Sequence, residues 1–101
     1  MAVELEAVLD RVVSAADPDR VILFGSRAYG KEKADSDFDL LVIKAGIKHR
    51  RALAQKVYRN LAGIPASVDI LVETPEGLEK KKSIPGLVYA DAAKGQVVYE
   101  R

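Results

Sequence analysis

Residues 21–43 constrain this chain more than any other stretch. Val21-Ile22-Leu23-Phe24 is a run of apolar, partly β-branched residues that reads as a buried strand. The run breaks at Gly25-Ser26, passes through the small-residue turn Arg27-Ala28-Tyr29-Gly30 and the charged loop Lys31 to Asp35, and re-enters an apolar strand at Ser36-Asp37-Phe38-Asp39-Leu40. A strand, a phosphate-sized turn and an acidic strand therefore follow one another within 23 residues.

Asp37 and Asp39 are two positions apart. On an extended chain their side chains leave one face with Cα atoms roughly 7 Å apart, while Phe38, Leu40 and Val42 take the other. Two carboxylates on one face repel, and one tends to stay protonated unless a cation joins them. A hard divalent ion such as Mg2+ suits a carboxylate pair that also meets substrate phosphates. Gly25 lets a backbone approach a ligand closely, and Ser26 can cap a short helix whose free N–H groups bind phosphate.

The motif formed by Gly25-Ser26-Arg27-Ala28-Tyr29-Gly30 and Ser36-Asp37-Phe38-Asp39-Leu40 resembles that of the DNA polymerase beta-like nucleotidyltransferases. In length and element order the chain looks like their minimal nucleotidyltransferase (MNT) group. The resemblance implies that Gly25 and Ser26, with Arg27, Gly30 and Ser36, bind the nucleotide. It further implies that Asp37 and Asp39 bind Mg2+, and that a third carboxylate, matched here by Asp69, arrives from a neighbouring strand as metal ligand and catalytic base. Many members carry a second arginine where this chain has Tyr29, so an aromatic ring stands in place of one expected cation.

The remaining chain reads as helices and strands in alternation. Leu5, Val8, Leu9, Val12, Val13 and Ala16 recur at helical spacing until Asp17-Pro18-Asp19. Ile47, Leu53, Val57 and Leu61 mark a second helix carrying Lys44, Lys48, His49, Arg50, Arg51, Lys56 and Arg59, a basic concentration that reads as a solvated face or as a docking surface for an acidic partner or RNA. Ser67 to Val72 forms a third strand. There Asp69 lies among apolar neighbours, where an ionised carboxylate needs an ion pair, hydrogen bonds or a metal. Thr74-Pro75-Glu76 starts another helix, Leu87 to Lys94 a last one that Gly95 ends, and Gln96 to Tyr99 a final strand.

Composition narrows the function classes. The 101 residues predict one domain, 1–101, with no room in it for a second, substrate-recognising unit. Sixteen Lys and Arg against fifteen Asp and Glu leave a net charge of +1, which supplies no broad field for nucleic acid and argues against direct nucleic-acid binding. Cysteine is absent, which excludes disulfides and thiolate metal sites and makes carboxylates the metal ligands expected. No apolar run spans a membrane, and the acidic start lacks the features of a signal peptide, which predicts a cytoplasmic protein.

These readings predict an α/β (α+β) fold with a small mixed sheet, helices on one face and an acidic site at one sheet edge. The chemistry expected is transfer of AMP from ATP with Mg2+. MNT proteins are commonly paired with HEPN-domain proteins as antitoxin and toxin, so the resemblance implies a hydroxyl, foremost a tyrosine, of a HEPN toxin as acceptor, within a homo- or hetero-oligomer. Two alternatives stand beside it: a non-enzymatic antitoxin that works by complex formation, and a small-molecule nucleotidyltransferase served by a separate substrate-binding subunit.

Overall fold

A computed structural model describes residues 5–25 and 37–101. Apart from the short helix expected after Gly25, which lies outside the described residues, its elements follow the expected order: α1 (Leu5–Ala16), β1 (Arg20–Phe24), β2 (Phe38–Ile43), α2 (Arg50–Asn60), β3 (Val68–Glu73), α3 (Pro75–Lys81), α4 (Val88–Ala93) and β4 (Gln96–Glu100). The four strands form one mixed sheet in the order β3-β2-β1-β4. β1 runs antiparallel to both neighbours, and β2 runs parallel to β3. Parallel neighbours need a crossover, and α2 supplies it.

Strand alternation divides the core between two faces. Val21 and Leu23 of β1, Phe38, Leu40 and Val42 of β2, and Ile70 and Val72 of β3 pack with Val8 and Val12 of α1 and Val57 of α2. Ile22, Phe24, Leu41 and Ile43 point the other way and meet Leu78 of α3 and Ala92 of α4. Helices on one face thus describes the two long helices, while the two short ones cover part of the second face. The apolar run of β1 already implied cover on both sides, because β1 is an inner strand.

Side chains hold the helix ends, one from a distant element and one local. Asp17 turns the chain at a φ of 46° after α1, and Lys44 Nζ donates to the Ala16 and Asp17 carbonyls, each at 2.9 Å. A cation at a helix C-terminus satisfies orphan carbonyls and complements the dipole. At the other side of the sheet Thr74 caps α3, its hydroxyl accepting the Gly77 N–H at 3.0 Å. Lys44 and Arg50 therefore leave the basic cluster of the sequence for structural duties.

Glu73, at the end of β3, is the buried charge of the described residues, with no solvent exposure. Arg50 Nη1 reaches its two carboxylate oxygens at 2.9 and 2.8 Å, Lys81 Nζ donates at 2.5 Å, and the Thr74 N–H donates at 2.9 Å. Gly77 makes the room, since a Cβ there would overlap the Glu73 carboxylate. Burial alone would push the Glu73 carboxyl up, but the bonds from Lys81, Thr74 and Arg50 outweigh it and hold the pKa below the ordinary glutamate value.

A depressed folded-state pKa contributes stability above the unfolded value, about 4.3, that is lost as pH falls through the folded value. Glu73→Gln should therefore lower stability at pH 7 by about 2 to 4 kcal/mol, the cost of taking one partner from a buried ion pair. It should also flatten the acid limb of the stability curve below about pH 4. Urea unfolding of both proteins between pH 3 and 7 checks this.

Candidate active site

Parallel pairing of β2 with β3 sets Asp39 directly opposite Asp69, and antiparallel pairing sets Phe24 opposite Asp39. Phe24, Asp39 and Asp69 therefore form a row across three strands on the face that carries α3 and α4. The next row on that face is Ile22, Leu41 and Leu71, which supplies an apolar floor. Around the carboxylates opens a depression of about 300 Å3, bordered by Phe24, Tyr58 of α2, Leu71 and Val88 of α4.

The carboxylates of this row repel one another. Burial raises the Asp39 carboxyl above the ordinary aspartate value, and the charges of Asp69 and Asp37 raise it further. Asp37 is exposed one residue before β2, and Asp69 is exposed too. The sequence reading of Asp69 as a carboxylate needing a partner because of burial is corrected here: its face of β3 is open at this end. The buried acid held by a lysine is instead Glu73, four residues on. Apolar neighbours in sequence do not reveal which end of a strand is covered, so Glu73 was missed; its one sequence signal is the position just before the Thr74-Pro75 helix start.

Gly25 closes the site from the β1 side. Its φ of 77° lies in the left-handed region that glycine occupies without strain, and a Cβ there would overlap Asp39 Oδ2. Gly25 and Asp39 are thus in direct contact, which the sequence implied only as a shared role. Ser26, Arg27, Tyr29, Gly30 and Ser36, expected to bind nucleotide or to stand beside it, lie outside the described residues.

Among the described residues no three His, Asp, Glu or Cys side chains form a ready metal cage. No described lysine or arginine pairs with Asp37, Asp39 or Asp69 either. Two facing carboxylates with no described cation beside them are a donor set that fits a hard divalent cation, since a cation relieves the repulsion that adds to burial in raising Asp39. No described helix is long and apolar enough to cross a membrane.

Comparison with known proteins places the chain in a family. Residues 5–97 match the nucleotidyltransferase domain, and the chain belongs to that family. Two solved structures share its fold. One is a toxin-antitoxin crystallised with AMP-PNP, 21% identical, with a TM-score of 0.59 over 97% of this chain and 75% of that one. The other is a provisionally assigned nucleotidyltransferase from Sulfolobus solfataricus, 25% identical, with a TM-score of 0.58 over 93% of this chain and 83% of that one. Comparison with curated proteins gives no significant match.

Two substitutions test the site without any assay of turnover. Gly25→Ala should cost about 1 kcal/mol or more, because it forces an L-residue into the left-handed region and displaces Asp39. Asp39→Asn should act oppositely. A carboxyl whose folded pKa is raised loses stability as pH climbs from its unfolded value through its folded one, so removing the charge should raise Tm at pH 7. The gain should vanish below about pH 4, where both proteins are neutral at this position. Melting curves across pH, without divalent ions, check both signs.

Proposed function

We propose that the chain transfers AMP from ATP to a hydroxyl of a partner protein, foremost a tyrosine of a HEPN toxin, and so acts as an antitoxin. The observation that carries the reading is the in-register pair Asp39 and Asp69, with Gly25 packed on Asp39, in a chain of the nucleotidyltransferase family. The toxin-antitoxin neighbour with AMP-PNP, an ATP analogue, supports both the nucleotide and the kind of partner.

In this reading Asp37, Asp39 and Asp69 hold Mg2+, which supplies neutralisation of the triphosphate charge and a lower pKa for the attacking hydroxyl. Gly25 and Ser26 let the phosphates approach the backbone, with Arg27, Gly30 and Ser36 as further nucleotide contacts. The acceptor oxygen forms a bond to the α-phosphorus, the bond from that phosphorus to the bridging oxygen breaks, and pyrophosphate leaves. The hydroxyl proton passes to the Asp69 carboxylate, whose exposure leaves it open to an acceptor. Acceptor recognition falls to the partner itself, and the protein acts in the cytoplasm as one domain.

Asp39→Asn keeps size and shape while deleting one charge of the pair. With labelled ATP, Mg2+ and the partner toxin, it should lose about 100-fold or more in label transfer, as the loss of an electrostatic contact at such a site does. Binding to the partner should persist. An Asp39→Asn protein that transfers no label yet neutralises the toxin as well as wild type would mean that complex formation, not AMP transfer, is the function.

A further inference from the structure

β3 is the outermost strand, so its inner edge alone is held by the sheet. Ser67 and Glu73 turn their carbonyls inward, accepting from the Phe38 and Lys44 N–H groups at 2.9 and 3.1 Å. Residues between them alternate, and the Ile70 N–H points outward. There Tyr58, reaching over from α2, accepts it through its hydroxyl at 2.9 Å. The bond sits on the residue after Asp69, and the same tyrosine borders the depression that holds Asp39 and Asp69.

We propose that Tyr58 is a positioning residue of the carboxylate pair: its hydroxyl pins the outer strand beside Asp69 and so keeps Asp69 opposite Asp39. Packing alone does not require the hydroxyl. Tyr58 is 44% exposed, so a core role would be served as well by an aliphatic side chain, whereas the oxygen has a defined partner in the strand. Asp69 is itself exposed and no described cation orients it, so the strand beneath it and its neighbour Asp39 are what hold it in place. A phenolic oxygen that accepts one N–H keeps its own hydrogen to donate. The inference concerns the geometry of the pair and rests on the proposed activity only for its kinetic consequence.

The test compares the full chain with Tyr58→Phe, which removes only the oxygen, and with Tyr89→Phe as a control for loss of a tyrosine hydroxyl elsewhere. An intramolecular hydrogen bond is worth roughly two- to tenfold in a local opening equilibrium. Amide exchange at Ile70 should quicken by that factor in Tyr58→Phe. Mn2+ affinity, followed by electron paramagnetic resonance, should weaken about threefold or more, and label transfer should fall in kcat with little change in the KM for ATP. Tyr89→Phe should show none of these. Faster exchange with unchanged Mn2+ affinity and kcat overturns the proposal, as does unchanged exchange. If wild type neither binds Mn2+ nor transfers label, the proposed activity fails while the positioning role is still decided by the Asp69 carboxyl 13C shift: a change in Tyr58→Phe supports it, and an unchanged shift overturns it.

Discussion

Parallel pairing of β2 with β3 is the constraint on which the described architecture turns. It needs a crossover, and α2 satisfies it by burying Val57 and Leu61 against one face of the sheet. The same pairing fixes register, and because side chains alternate with a period of two, a slip by one residue would send Asp39 or Asp69 into the apolar face. Register is therefore held by the hydrophobic pattern. The burial of Phe38, Leu40, Val42, Ile70 and Val72 on one side leaves the acids on the other.

That second face changes character along its length. At one end Glu73 is fully buried and met by Arg50, Lys81 and the Thr74 N–H, so its charge is compensated. At the other end Asp39 and Asp69 share a row with no described cation. Two acids four residues apart on one strand thus have opposite electrostatics, decided by which helix reaches them. α3 begins directly after β3 and brings Lys81 back over Glu73, whereas no described cation pairs with Asp69. A compensated charge fastens the fold, whereas two carboxylates with no described cation beside them repel.

Gly25 couples the two halves of the motif. Its left-handed backbone lets the end of β1 lie against Asp39 with no side chain between them, so the end of β1 and the acidic strand meet at one point. For the nucleotidyltransferase family to which the chain belongs, that contact gives a physical sense to a glycine and an aspartate fourteen positions apart in sequence.

The sequence by itself determined the element order, the two-faced β1, the face shared by the acids of β2, and the helix starts at Thr74-Pro75. These follow from periodicity, proline and capping, which act over a few residues. It also pointed to Asp37, Asp39 and Asp69 through a motif and a resemblance. Tertiary structure decided what depends on contacts between distant segments: the strand order, the row that joins Phe24, Asp39 and Asp69, the exposure of Asp69, the burial of Glu73, the reach of Tyr58 to Ile70, and the capture of Lys44 by the end of α1. Burial and pairing are properties of neighbours in space. A carboxylate within an apolar stretch reads alike whether its end of the strand is covered or open, and only the helices packed over each end separate the two cases.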